Sequence, residues 1–83
     1  MIRPIDEIWI ARDAMERIIT LRAKYDHVEW ACEACEIQGG NTWRIAMVLY
    51  ATNGVFWRSN IFVAVPATPY TLVEHVETYL SQF

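Results

Sequence analysis

Apolar residues follow a helical spacing near both ends of the chain and alternate with polar residues in the middle. From Pro4 to Tyr25 the residues project, at about 100° per residue, into an apolar stripe and a polar face. The stripe contains Ile8, Ala11, Met15, Ile18 and Ile19, and the polar face contains Asp6, Asp13, Arg17, Thr20 and Lys24. Pro4 suits a first helical turn, and the four-residue spacing of Asp13 and Arg17 predicts an ion pair. We therefore predict a helix from Pro4 to Tyr25.

A second helix is predicted at the other end of the chain. Thr68 is a favourable N-cap residue, and Pro69 is favourable at the first helical position. Six apolar residues then recur at helical spacing up to the last residue: Leu72, Val73, Val76, Tyr79, Leu80 and Phe83. We expect this helix to run to Phe83.

Residues 27 to 37 carry two conflicting patterns. The alternation of apolar and polar residues from His27 to Ala34 is typical of a strand. Asp26 followed by Glu29 matches a helix capping box instead. In that helix, one face would hold Val28, Ala31, Cys32 and Cys35. Local signals alone leave both structures open.

Two turn signals favour the strand. Gly39-Gly40 suits a two-residue hairpin loop, and Thr52-Asn53-Gly54 suits a three-residue loop with glycine in the left-handed position. The first loop pairs Ala34 with Ile45, Cys32 with Met47, Trp30 with Leu49 and Val28 with Ala51. The second pairs Ala51 with Val55, Leu49 with Trp57, Met47 with Ser59, Ile45 with Ile61 and Trp43 with Val63. Both registers place these residues on one face, and a two-residue second loop would swap the faces.

The predicted fold is therefore α+β, a single small domain over residues 1–83 with the element order α-β-β-β-α. The three strands form an antiparallel meander, and both helices pack on the face that carries Trp30, Trp43 and Trp57. This element order resembles that of double-stranded RNA-binding domains. Those domains place basic residues at the start of the last helix, whereas here no Lys or Arg follows Arg58. RNA binding of that type is not expected.

The other sheet face is more apolar than a solvated face would be. Its predicted apolar members are Ile37, Val48, Tyr50, Phe56 and Phe62, framed by Glu29, Glu33, Arg44 and Arg58. Glu29 lies opposite Tyr50 in this register, and Glu33 lies within diagonal reach of Arg44 for an ion pair. An aromatic patch with an Arg and Glu rim is typical of a protein interface. Alternatively, long polar side chains cover scattered aromatics on an ordinary exposed face.

Composition supports an interface. Of 83 residues, 54% are apolar, which is more than a core of this size can bury. The surplus predicts contact with another protein or with a second copy of the chain. The net charge is −3 with no basic cluster, so a phosphate-backbone binder is not indicated. Neither a signal-peptide pattern nor an apolar run of membrane-spanning length is present, so we expect a cytoplasmic protein without membrane association.

Catalytic and metal-binding patterns are weak. Cys32-Glu33-Ala34-Cys35 is the one motif-like string. On a regular strand, residues three apart point to opposite faces, so Cys32 would face the core and Cys35 the open side. A structural zinc site needs four ligands, and no second cysteine pair is present. We expect two free thiols, no metal or other cofactor, and no enzymatic activity.

Two functional hypotheses remain. In the first, the chain is a non-enzymatic protein-binding module of the inhibitor, immunity or phage anti-defence type. It would act as a homodimer or through its open sheet face. In the second, it associates with nucleic acid by stacking bases on Tyr50, Phe56 and Phe62, with Arg44 and Arg58 on phosphates.

Overall fold

The computed structural model describes residues 4–51 and 53–83, which form two helices and one antiparallel sheet. The elements are α1 (Pro4–Thr20), β1 (Glu29–Gln38), β2 (Thr42–Tyr50), β3 (Phe56–Ala64) and α2 (Pro69–Leu80). The strand order is β1-β2-β3, so the predicted α-β-β-β-α meander is confirmed. Thr68 caps α2 as predicted, because its hydroxyl oxygen accepts a hydrogen bond from the Thr71 amide at 3.2 Å.

Both helices and one sheet face share a single core. The residues buried there are Ala14, Ile18 and Leu21 in and after α1, Trp30, Trp43, Ile45, Met47, Leu49 and Val63 in the sheet, and Ala67, Leu72, Val76 and Leu80 in and before α2. α1 lies against β1, α2 lies against β3, and the two helices contact each other. The helices therefore cover one face of the sheet.

The hairpin between β2 and β3 follows the predicted register. Leu49 lies opposite Trp57 and Ile45 opposite Ile61. The Ala51 amide donates to the Val55 carbonyl at 2.7 Å, which closes a three-residue loop. Gly54 has a φ of +85°, the left-handed conformation that the prediction assigned to it. Thr52, the first loop residue, lies outside the described residues.

The hairpin between β1 and β2 differs from the prediction in two places. Gln38 pairs with Thr42, so its loop has three residues (Gly39, Gly40 and Asn41) rather than two. A β-bulge then adds one residue to β1 between Cys32 and Ala34. On the far side of the bulge the predicted pairing returns, and Cys32 lies opposite Met47.

Between the loop and the bulge, the β1 side chains lie on the faces opposite to those predicted. Cys35 pairs with Ile45 and Ile37 pairs with Trp43, and both pack against the core. The predictions that Ile37 and Cys35 lie on the open face are therefore wrong, as is the pairing of Ala34 with Ile45. Ala34 lies opposite Ala46 instead. A register change of one residue moves every side chain to the other face.

In α1 the buried sector is rotated from the predicted stripe. Ala11, Met15 and Ile18 pack in or against the core, but Ile8 is 63% exposed and Ile19 is 60% exposed. The rotation arises because α1 is covered on two sides, by β1 and by α2. Part of the predicted polar face therefore contacts α2, where the Arg17 guanidinium donates to the Tyr70 hydroxyl at 3.1 Å.

Both helices end earlier than predicted. α1 ends at Thr20 rather than Tyr25, because the following amides bond three residues back, as Leu21 does to the Ile18 carbonyl. α2 ends at Leu80, and Phe83 is exposed. Trp57 lies on the helix-covered face but is 46% exposed, since it stands at one end of the edge strand β3.

Candidate protein-binding surface

The sheet face opposite the helices, called the open face below, carries side chains from all three strands. Its members are Glu29, Ala31, Glu33, Ala34 and Glu36 from β1, Arg44, Ala46, Val48 and Tyr50 from β2, and Phe56, Arg58, Asn60, Phe62 and Ala64 from β3. Glu29 lies opposite Tyr50, as predicted. No described helix covers this face.

An ion pair crosses the middle of the open face from one edge strand to the other. Arg58 Nε lies 3.0 Å from Glu33 Oε1. Glu33 is the extra residue of the β1 bulge. Val48 lies directly opposite Arg58 on β2, beneath this pair, and is only 2% exposed. The prediction that Val48 is an exposed contact residue is therefore wrong.

A second polar group lies beside the first. Arg44 pairs with Glu36 on β1 and donates to the Asn60 side-chain oxygen on β3 at 3.0 Å. The predicted pair of Glu33 with Arg44 does not form, because the bulge places Glu36 directly opposite Arg44. Exposed ion pairs of this kind contribute little to folding, typically about 0–1 kcal/mol each. They do position two guanidinium groups and two carboxylates across the face.

Aromatic side chains occupy the two ends of the open face. At the end near the β2–β3 loop, the rings of Tyr50 and Phe56 lie 6.1 Å apart, and the Arg58 guanidinium lies 5.1 Å from the Phe56 centroid. At the other end, Phe62 is 57% exposed. The structure thus separates the predicted patch into two apolar ends with an ion-paired centre.

A further apolar surface was not predicted. Ile5, Ile8 and Trp9 stand one helical turn apart at the start of α1, and each is more than 60% exposed. The spacing was visible in the sequence. It was missed because Ile8 was assigned to the core-facing stripe.

The two cysteines lie on the helix-covered face and are half-buried free thiols. The Cys32 sulfur lies 3.6 Å from the Met15 sulfur. Burial raises the pKa of Cys32 to about 11 and that of Cys35 to about 12. Both thiols are therefore protonated at neutral pH, which gives them the properties of small apolar side chains rather than nucleophiles.

We predict slow alkylation of both thiols in the folded protein. The thiolate is the reacting species, so at pH 8 iodoacetamide should react with each thiol at least about a hundredfold more slowly than with an ordinary thiol of pKa about 8.5, and more slowly with Cys35 than with Cys32. The rate should still be rising above pH 9. Over the same pH range the free energy of unfolding should fall, because the unfolded chain ionises its thiols first. Mass spectrometry of Cys35→Ser and Cys32→Ser variants, with the urea-unfolded chain as control, measures each site. Equal rates for folded and unfolded protein would contradict the prediction.

Other kinds of site find no support within residues 4–51 and 53–83. No group of three or more potential metal ligands comes together there. Neither helix has the length and apolar character needed to cross a membrane. Comparison of the chain with protein-family models, with curated proteins and with solved structures finds no significant match.

Proposed function

We propose that this protein is a small, non-enzymatic binding module that recognises another protein surface, either a foreign partner or a second copy of itself, through its open face. One observation supports this proposal most directly. An uncovered sheet face presents exposed aromatic rings at both ends and a fixed group of arginines and carboxylates between them. Interfaces are enriched in aromatics and arginine, and this face has both.

The energetics are adequate for binding. Tyr50, Phe56 and Phe62 are each about half exposed. Each ring would remove on the order of 100 Å² from water when covered, which corresponds to about 2.5 kcal/mol. Two or three such residues account for most of the binding energy in many interfaces. The polar centre supplies orientation, because its ion pairs hold both signs of charge in fixed places.

The partner type follows from the charges. Arg44 and Arg58 are each paired with a carboxylate, and the chain carries a net charge of −3. Phosphate contacts need positive charge that is free to displace counterions. This favours a protein partner over a nucleic acid. Inhibitors, immunity proteins and phage anti-defence factors are small proteins that work by such binding, and we place the chain among these types.

Replacing Phe62 with aspartate should weaken the proposed interaction at least tenfold, because a carboxylate would replace the large apolar contact at one end of the open face. Ile8→Asp is the matched control, since Ile8 is similarly exposed but lies on α1, away from the open face. Sedimentation of the purified protein measures self-association, and capture from the native host followed by titration measures a foreign partner. A protein that stays monomeric at high concentration, with capture unaffected by Phe62→Asp, would contradict the proposal.

A further inference from the structure

The outer edge of β3 carries unpaired backbone groups in a regular array. In an antiparallel pair, hydrogen-bonded and non-hydrogen-bonded residue pairs alternate. The Ala51–Val55 hydrogen bond fixes which pairs are bonded, so the odd-numbered residues from 57 to 63 bond to β2. The even-numbered residues direct their amides and carbonyls outward: Phe56, Arg58, Asn60, Phe62 and Ala64. None of these outward groups has a backbone partner in the described part of the chain.

The two edges of the sheet differ in how they are protected. β1 is interrupted by its bulge, a common way of preventing further strand pairing. β3 pairs residue for residue with β2 over its whole length, Phe56–Ala64, without a bulge or a proline. The single charged side chain of β3, Arg58, turns across the open face toward Glu33. β3 is thus a long, regular edge that remains available for pairing.

A groove runs along this edge on the helix side. Its floor includes Asn60 and Ile61, and its wall is the outer side of α2, with Glu74, His75, Thr78 and Gln82. An extended chain paired with β3 would lie in this groove, with alternate side chains directed toward α2 and toward the open face.

The groove is acidic. Glu74 is exposed and forms no ion pair with any described residue, while Glu77, also on the wall, is bound to Lys24 at 3.0 Å on its other side. Among the described residues, no Lys or Arg lines the groove. The His75 ring is engaged with the Thr71 carbonyl oxygen at 2.9 Å. A segment with Lys or Arg directed toward α2 would therefore be electrostatically complementary.

A second copy of this chain is a poorer match for the same edge than an extended segment. Paired strands lie about 4.8 Å apart, and β3 is the strand that α2 lies closest to. Because each α2 lies against its own β3, pairing β3 with its own copy would place the two α2 helices close beside each other on one face of the joined sheet. Packed helices need about 8–10 Å. A single extended segment has no such conflict.

We infer that the β3 edge binds an extended peptide segment of a partner protein as a fourth strand, with basic side chains facing Glu74. This inference rests on the proposed function and specifies how part of the partner is recognised. The backbone of β3 would supply affinity. The acidic groove on one side and Phe62 on the other would supply selectivity.

Proline at position 60 tests the backbone contact. Asn60→Pro removes an outward amide without removing a hydrogen bond to β2, and proline is tolerated on edge strands with this geometry. Asn60→Ala loses the same side chain but keeps the amide, so it is the matched control. Glu74→Lys tests the charge, with Glu74→Gln as its milder counterpart. Circular dichroism and thermal melts check that each variant folds.

The probe is a phage-displayed library of random peptides about as long as β3. Peptides selected on the wild-type protein should carry Lys or Arg at alternate positions. Their affinity should be at least tenfold weaker for the Asn60→Pro and Glu74→Lys variants and unchanged for the Asn60→Ala variant. If no peptide is enriched over Asn60→Pro, or if selected peptides bind that variant equally, the inference is wrong. If the selected peptides lose affinity only for the Phe62→Asp variant, the edge pairing is overturned and the proposed function stands.

Hydrogen exchange on the wild-type protein tests the inference without any variant. In the free protein the amides of Arg58, Asn60 and Phe62 should exchange rapidly, while those of Ser59 and Ile61 are protected by β2. A bound peptide should slow the first three amides at least tenfold. Unchanged exchange at these three positions in the complex would overturn the inference even if Asn60→Pro fails to fold.

Discussion

Replacing Trp43 with alanine is expected to lower the free energy of unfolding by about 3–5 kcal/mol. Trp43 is fully buried at the centre of the core, on the middle strand between the two helices and the sheet. A chain of this length has a total stability of roughly 4–12 kcal/mol, so the variant should lose about a quarter or more of its stability. Urea unfolding followed by far-ultraviolet circular dichroism measures the change.

Trp43→Phe is the informative control. The Trp43 indole nitrogen is buried without a hydrogen-bond partner in the described structure. An unsatisfied buried donor costs about 1–3 kcal/mol, and phenylalanine removes that donor while it fills most of the space. The phenylalanine variant should therefore retain at least about 2 kcal/mol more stability than the alanine variant. Equal losses for the two variants would show that the volume of the ring is not what stabilises this site.

Deleting Ala31 is expected to destabilise the protein by several kcal/mol, whereas deleting Glu33 should be tolerated. Without Glu33 the bulge closes, and every other β1 side chain keeps its face. Without Ala31 the register must shift on one side of the deletion. Either Glu29 takes the place of buried Trp30, or Glu33 turns onto the core face opposite Met47. A carboxylate buried without a partner is among the most destabilising changes known.

Thermal unfolding of the two deletion variants decides between these outcomes. The Glu33 deletion should lower the midpoint modestly, because it also removes the ion pair with Arg58. The Ala31 deletion should lower it by about 15 °C or more, the shift that several kcal/mol produces in a domain of this size. A larger loss on deleting Glu33 than on deleting Ala31 would mean that the bulge itself is essential to the sheet.

Local chemistry decided which parts of the fold could be predicted from the sequence. The β2–β3 register was correct because Gly54 requires a left-handed conformation and the apolar alternation on both strands allows one loop length only. The β1–β2 register was half correct for a different reason. The loop is one residue longer than predicted and the bulge at Glu33 adds one more residue to β1, so the two shifts cancel at Cys32. Nothing local marks that bulge, and the contact that its extra residue makes is with Arg58 on a distant strand.

The surface was harder to predict than the strands. Tyr50, Phe56 and Phe62 stand exposed where the pattern placed them. Ile37 and Val48 do not. Ile37 faces the core because of the bulge, and Val48 is covered by an ion pair between the two edge strands. In α1 the periodicity located an apolar side, but the contacts of α1 with both β1 and α2 determine which edge of that side is buried. Strand register and helix rotation depend on tertiary contacts. The hydrophobic period alone leaves each of them undetermined by one residue position.

The four tryptophans divide evenly between the interior and the surface, and this gives the protein built-in optical reporters. Trp30 and Trp43 are buried, whereas Trp9 lies on the exposed side of α1 and Trp57 lies near the outer edge of β3. Iodide, a charged quencher, reaches only the second pair. A ligand that shields Trp57 but not Trp9 occupies the sheet edge, and the reverse pattern places it on α1. Trp9→Phe and Trp57→Phe variants, each with one exposed tryptophan left, can therefore report without a label which surface a partner covers.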